Sequence, residues 1–304
     1  MSAVRPAHPP WLKAKMPGGE RYARIKGRAR DLSLHTVCEE ARCPNVGECW
    51  GGGTATFMVM GDVCTRGCHF CAVTTRRQGR PLDPQEPDNL AHAIAEMQLD
   101  YVVITSVDRD DLPDQGAAHF AACIAAVRRK APQTMVEVLV PDFRGERALC
   151  DQLVDAAPEV LAHNLEVVER LTPSVRDPRA GYRQSLDVLA AFKARNPAQL
   201  TKSSLMVGLG ETEAEMDRAM AELRAAGCDF LTIGQYLRPT SKDAHLPVLA
   251  YIHPDQFAAY ERRGLELGFA YVASGPLVRS SYKAGEFFIR QYLQARQDAQ
   301  EPRP

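Results

Sequence analysis

The chain has almost no net charge, no long apolar run and no leader pattern, and each lack narrows what it does. Its 37 Lys and Arg nearly balance 38 Asp and Glu, for a formal net charge of −1. That balance carries no bias toward nucleic acid or an anionic membrane. No run of about 18 apolar residues is present, so no transmembrane helix is expected. Residues 1–16 are Pro-rich, without the apolar core of a signal peptide. They carry Arg5, Lys13 and Lys15 but lack the Ser- and Arg-rich character of a transit peptide. No internal period marks a solenoid. Hydrophobic residues make up 45% of 304 positions, enough for a sizeable core in one large domain or two modest ones. Many reduced thiols point to a reducing compartment, and the cytoplasm is expected.

What the chain does have is six cysteines near its front, in two triplets of different spacing: Cys38-x4-Cys43-x5-Cys49 and Cys64-x3-Cys68-x2-Cys71. Each triplet supplies three thiolates from a short stretch of backbone. A cubane iron–sulfur cluster has four irons, so three cysteines leave one iron for another ligand. Two triplets therefore imply two [4Fe–4S] clusters and redox or radical chemistry. Disulfides suit small secreted domains without a core, whereas this chain is long and its nine cysteines are an odd count. Structural zinc closes a four-ligand shell from paired ligands, often with His. Here the ligands come in threes, although His69 lies inside the second triplet and His35 precedes the first. A ferredoxin cluster closes with a fourth cysteine. The remaining Cys123, Cys150 and Cys228 lie far apart in helix-like stretches, where free cysteine packs as a small hydrophobe.

Residues 1–30 read as an extended basic arm, with Arg21, Arg24, Lys26, Arg28 and Arg30 as a solvated helix face. Gly51-Gly52-Gly53 breaks any regular element after the first triplet. Thr54–Gly61 is the first buried strand. Strand–helix alternation follows: strands at Tyr101–Thr105, Met135–Val140, Val160–His163, Thr201–Val207, Asp229–Ile233 and Ala270–Ala273, with helices at Ala117–Lys130, Glu146–Ala157, Tyr182–Arg195, Thr212–Ala226 and Pro254–Leu267. Near-continuous apolar strands argue an α/β fold with a parallel sheet covered by helices. About six βα units match a partial barrel better than a closed eightfold one. The second triplet, residues 105–112, 164–166, 208–211 and 235–240 then all fall at the C-terminal ends of strands, where functional loops sit.

The second triplet, placed after a first barrel strand, resembles the radical S-adenosylmethionine superfamily. The segments VCEEARCPNVGECW, GTATFMVMGDVCTRGCHFCAV, VVITSVDRDDL, VGLGET, GQYLRPT and GPLVRSSYKAG resemble the lipoyl synthase family, from about Trp11 to Gly285. The resemblance implies that Cys64, Cys68 and Cys71 hold a [4Fe–4S] cluster whose open iron chelates S-adenosylmethionine. One electron then breaks the S–C5′ bond, and the 5′-deoxyadenosyl radical takes hydrogen from an unactivated C–H bond. It implies that Cys38, Cys43 and Cys49 hold an auxiliary [4Fe–4S] cluster with Ser281 as fourth ligand. A hard serine oxygen is a poor partner beside soft thiolates, which suits a cluster consumed as a sulfur source.

Asn164, Glu166, Lys202 and Glu211 are candidate S-adenosylmethionine contacts at strand ends. Arg279 is expected to order the C-terminal segment. The implied activity is that of a sulfurtransferase, inserting two sulfur atoms at C6 and C8 of a protein-bound octanoyl-lysine. The implied partners are octanoylated lipoyl carrier domains of 2-oxoacid dehydrogenases, a glycine-cleavage carrier protein and an electron donor such as flavodoxin or ferredoxin. Residues 1–53 and 276–304 would be extensions around a barrel at 54–275. Ser204 stands where the family usually has glycine, and Asp114-Gln115-Gly116-Ala117 replaces a DGGA-like turn. A methylthiotransferase would bring a basic terminal domain, which is not seen. A cluster scaffold or redox sensor would not cleave S-adenosylmethionine.

Overall fold

The computed structural model describes residues 9–13, 18–31, 34–40, 43, 45–52, 54–240, 244–281 and 292. Four short elements precede the barrel: α1 (Glu20–Asp31), β1 (His35–Thr36), α2 (Val37–Glu40) and α3 (Val46–Gly52). Then come β2 (Thr54–Val59), β3 (Val63–Cys64), β4 (Thr74–Thr75), α4 (Glu86–Met97), β5 (Tyr101–Ser106), α5 (Ala117–Lys130), β6 (Met135–Leu139) and α6 (Arg147–Asp155). The chain continues through β7 (Val160–Ala162), α7 (Thr172–Val175), α8 (Tyr182–Arg195), β8 (Leu200–Val207), α9 (Glu213–Ala225), β9 (Phe230–Gln235), α10 (Pro254–Glu266) and β10 (Tyr271–Gly275).

The main sheet runs β1-β2-β5-β6-β7-β8-β9-β10, parallel throughout except for β1, which pairs antiparallel with β2. Six strand-to-strand crossovers and a seventh parallel strand make the partial barrel that the alternation predicts. The strands are apolar without alternation because helices cover one face and the barrel lumen the other. All six residues of β2 are buried. The large core lies between the sheet and the helices. A smaller one, Tyr101, Val103, Val160, Leu200 and Phe230, plugs the barrel at the N-terminal ends of the strands. Burying a side chain of this size contributes about 1.5–3 kcal/mol.

The basic arm carries the helix whose solvated face its charge run suggests: α1 keeps Arg24, Arg28 and Arg30 exposed, but it is anchored rather than extended, with Ile25 and Ala29 one turn apart on its buried face. Tyr22 packs on Trp50 of α3, with ring centroids 5.1 Å apart. Two apolar anchors among many charges leave little periodicity to detect. Helix α4 is not among the helices the sequence predicts, although Leu90, Ala91, Ile94 and Met97 form its buried stripe; a proline-rich lead-in masks its start. The capping box that Thr212 and Glu215 predict for α9 is present. Among the described residues no helix is long and apolar enough to cross a membrane.

Candidate metal centre

The loop carrying the second triplet leaves β2 through a turn held from several sides. Met60 and Gly61 both have positive φ, 67° and 85°. Such a conformation costs a methionine about 1–2 kcal/mol, so neighbours must hold it. Met60 N donates to Glu86 Oε2 (2.9 Å), and Arg109 donates to Met60 O (3.4 Å). Gly116 (φ 87°) allows the approach, since a Cβ there would overlap Met60 Sδ. The loop is then closed by β3 pairing with β4, and it brings Cys64, Cys68 and Cys71 over the C-terminal ends of the barrel strands.

The sulfurs are supplied with backbone donors. Cys64 Sγ accepts from Arg66 N (3.4 Å) and Asp108 N (3.3 Å), and Cys68 Sγ accepts from Asp177 N (3.3 Å). As free thiols they resist ionisation. Burial pushes Cys68 up to about 12 and also raises Cys64 and Cys71, with nearby Asp108 adding to the rise at Cys64. A metal that takes the thiolate replaces that proton, so N–H donors aimed at sulfur in a buried loop suit metal-bound thiolates. His69 is otherwise engaged: its Nδ1 bonds Ser174 O (2.8 Å), which removes it as a partner for the cysteines through that nitrogen. Among the described residues no three His, Cys, Asp or Glu side chains close around one point as a single metal ion needs. Three thiolates without a fourth side chain instead suit a cubane with one iron left open.

Beneath the loop lies an ion network that the sequence did not single out. Arg66, 2% exposed at its side chain, makes two-point contacts to both Asp110 and Asp142. Arg179 bonds Asp177 and Thr65 O, and Asp177 accepts from Gly67 N (2.8 Å). Burial alone would raise these carboxyls. Arg66 nevertheless holds Asp110 and Asp142 below the usual range, and Arg179 brings Asp177 down to about 2. Arg109 is spent on Asp111, and residues 108–111 form an internal salt-bridge loop. The sequence suggests an internal salt-bridge loop at residues 108–111; only the fold adds Arg66 and Asp142 and gathers the carboxylates under one guanidinium.

The first triplet lies beside β2, just after the edge strand β1. Cys38 contacts the backbone of Thr56 in β2; burial pushes its thiol up to about 12, with Cys43 the next contributor. Cys43 N bonds Cys38 O (3.0 Å), and Cys49 N bonds Asn45 O (2.9 Å). The C-terminal segment folds onto the same place. Asn45 Nδ2 donates to Leu277 O (2.5 Å), and Arg279, whose ionisation burial disfavours, feels the charge of Cys43. Arg279 also donates to Gln235 O (3.3 Å) at the end of β9. Ser281 follows, half-buried, while Tyr282 of the same motif lies outside the described residues.

The four candidate cofactor contacts divide. Asn164 donates to Glu166 (3.1 Å), and Glu166, at φ 70°, stands near Cys71; burial raises its carboxyl. That pair faces the second triplet. Lys202 does not: its Nζ is buried against both oxygens of Glu137 (2.8 and 2.9 Å), which also accepts from Tyr101 of the barrel floor. Glu211 accepts from Gly208 N (2.5 Å) and Leu209 N (2.9 Å), so its carboxylate closes its own turn. Ser204, the departure from glycine, is buried in β8, where its carbonyl accepts from Glu166 N. Arg176 is a residue the sequence did not flag. It is buried near Cys68 and Glu166, donates to Ser185 Oγ (2.8 Å), and leaves Nε without a partner.

Comparison with known proteins adds independent information. A family profile described as the radical SAM superfamily matches residues 58–234, and one described as the N-terminal domain of lipoyl synthase matches residues 2–43. The chain is 60% identical over 288 residues to "Lipoyl synthase" from Anaeromyxobacter sp. strain Fw109-5, covering 95% of this chain and 97% of that one. It is 56% identical over 300 residues to "Lipoyl synthase, mitochondrial" from Aedes aegypti, covering 97% and 76%. Among solved structures, methylornithine synthase (PylB) superposes with a TM-score of 0.53 at 10% identity, covering 92% of this chain and 94% of that one. The hydrogenase maturase HydG from Carboxydothermus hydrogenoformans gives 0.52 at 13%, covering 79% and 66%. These two likenesses speak for the barrel fold.

Proposed function

The chain belongs to the lipoyl synthase family of the radical SAM superfamily, and from that premise we propose how its residues divide the work. The reaction inserts two sulfur atoms, at C6 and C8 of an octanoyl chain carried on a protein lysine. Cys64, Cys68 and Cys71 hold a [4Fe–4S] cluster, which with S-adenosylmethionine supplies the radical that removes hydrogen from the octanoyl carbons. Cys38, Cys43, Cys49 and Ser281 hold the auxiliary [4Fe–4S] cluster, which supplies the sulfur. Arg66 and its carboxylates keep the second-triplet loop in place before cofactor arrives. Asn164 and Glu166 orient S-adenosylmethionine beside Cys71, with Glu166 accepting from its amino group or ribose. Lys202 and Glu211 support the barrel floor and a turn and take no part in cofactor contact.

The observation that carries the two-cluster reading is the return of residues 277–281 onto the first triplet, through Asn45 and Arg279. It places Ser281 two residues after Arg279, which the charge of Cys43 influences. Substrates are octanoylated lipoyl carrier domains of 2-oxoacid dehydrogenases or of glycine cleavage, and the electron comes from a flavodoxin or ferredoxin. Nine cysteines outside disulfides favour a reducing compartment and hence the cytoplasm; relatives include mitochondrial forms.

The test is paired. Reconstituted protein is expected to carry about eight irons, four per cubane. Replacing Cys64, Cys68 and Cys71 together by alanine should halve that content and abolish 5′-deoxyadenosine formation. Replacing Cys38, Cys43 and Cys49 should halve it too, yet preserve cleavage of S-adenosylmethionine and abolish the thiolated carrier peptide seen by mass spectrometry. Lipoyl product at wild-type yield from the second mutant would overturn the division.

A further inference from the structure

We infer that the arginine-rich outer face of the loop between β3 and β4 is the docking surface for a small acidic one-electron carrier protein, an inference that rests on the radical-cluster assignment of Cys64, Cys68 and Cys71. The charges around this loop are layered. The carboxylates of Asp110, Asp142 and Asp177 lie inside, with side-chain exposures of 5%, 0% and 9%, whereas Arg144 and Arg179 lie outside at 49% and 46%. Arg76 and Arg77, both exposed, continue the outer layer, and among the described residues neither has an ion-pair partner. The network sets Arg66, Arg144 and Arg179 against Asp108, Asp110, Asp142 and Asp177, so the outward positive charge comes from the exposed placing of Arg144 and Arg179 and from Arg76 and Arg77, although the whole chain carries a net charge of −1. A local field of this kind steers an acidic partner and sets its orientation more than it adds affinity.

This face is also close to the sulfurs. Arg76 N donates to Cys64 O (3.0 Å), Thr75 Oγ1 donates to Arg66 O (3.2 Å), and Arg179 donates to Thr65 O (2.6 Å). The backbone of Arg76 is thus bonded directly to that of Cys64, and the Arg179 guanidinium to the backbone of the next residue, Thr65. The face lies over the turns after β5, β6 and β7, which supply Asp110, Arg144 and Arg179. The first triplet lies elsewhere, beside β2 and the C-terminal segment, through Thr56 and Leu277. An octanoyl arm has to reach the sulfur donor there, whereas the arginine face adjoins Cys64. In the step itself the donor is oxidised by one electron and the cluster is reduced from the 2+ to the 1+ level, with no proton or group transferred.

The experiment uses the holoenzyme, a reduced flavodoxin as the acidic probe, and dithionite as a small reductant that needs no docking. Stopped-flow absorbance follows cluster reduction. For wild type the flavodoxin rate should fall steeply as ionic strength rises, because exposed charges are screened. Arg76→Glu with Arg77→Glu should lower that rate by about tenfold or more at low salt and flatten its salt dependence. Iron content, reduction by dithionite and 5′-deoxyadenosine formed with dithionite should not change. Unchanged flavodoxin kinetics in the double variant would overturn the inference. So would an intact flavodoxin rate accompanied by a raised KM for an octanoylated carrier domain, which would assign the face to that substrate instead. Loss of iron from the wild-type second triplet, or no 5′-deoxyadenosine with dithionite, would instead strike the underlying cluster assignment.

Discussion

Arg66 and Asp142, 76 positions apart, form a buried two-point ion pair, NH1–Oδ2 2.7 Å and NH2–Oδ1 2.8 Å. Arg66 belongs to the loop between Cys64 and Cys68, and Asp142 to the turn after β6. The pair therefore fixes the cysteine loop to the barrel. Removing one partner leaves a buried charge without compensation, so Asp142→Asn or Arg66→Met should cost about 3–5 kcal/mol. Urea midpoints measure this. Arg66→Lys should recover less than half, because an ammonium cannot make both forks.

His163 sets a pH dependence. Burial, then the neighbouring Arg176, lowers it to about 4 from an ordinary 6.5, and both ring nitrogens are bonded, to Val140 O and Ser185 Oγ. A depressed histidine is neutral when folded and protonated when unfolded between those values. Stability is therefore complete above pH 6.5 and declines as pH falls toward 4, by about 1.4 kcal/mol per unit in that window. His163→Gln should flatten this part of the profile in anaerobic denaturation. An equal slope in the variant would locate the effect elsewhere.

Lys202 and Glu137 offer a direct check on the cofactor contacts. With the ammonium held by a buried carboxylate in the barrel floor, Lys202→Met should destabilise by about 3–5 kcal/mol. The double variant with Glu137→Leu should regain much of that. Binding of S-adenosylmethionine to folded protein should change less than twofold, by equilibrium dialysis. A tenfold loss of affinity in both would return Lys202 to the cofactor site.

For Ser281 the serine series is diagnostic. Ser281→Ala should impair thiolation while Ser280→Ala has the smaller effect. Ser281→Cys should hold iron more firmly against a chelator, because thiolate suits iron better than alkoxide, and transfer less sulfur. Equal behaviour of the two alanine variants, with no added retention in the cysteine variant, would reduce Ser281 to a turn residue.

Asn45 tests the closure of the C-terminal segment. Asn45→Ala removes the donor to Leu277 O and should cost about 1 kcal/mol locally. Faster amide exchange of residues 277–281, with β9 and β10 unchanged, is the expected signature.

Much of this protein follows from local chemistry. Thiolate spacing marks two clusters because each triplet is short enough to be shaped by its own backbone. Strands such as Thr54–Val59 and helices such as Tyr182–Arg195 follow from apolar runs and turns with a 3.6-residue period. The strand ends then place Asn164 and Glu166 at the mouth. Other features depend on pairings that no local pattern encodes. Lys202 and Glu137 meet inside the barrel because β6 and β8 present them to the same lumen. Arg66 gathers Asp110 and Asp142 from successive strand ends, and Glu211 turns back on its own glycines. Asn45 meets Leu277 because β10 brings the chain's end to the edge near β2. A charged side chain at a strand end reads alike in sequence whether it meets cofactor, a buried counter-ion or water, and desolvation decides among them only once the strands have closed around it.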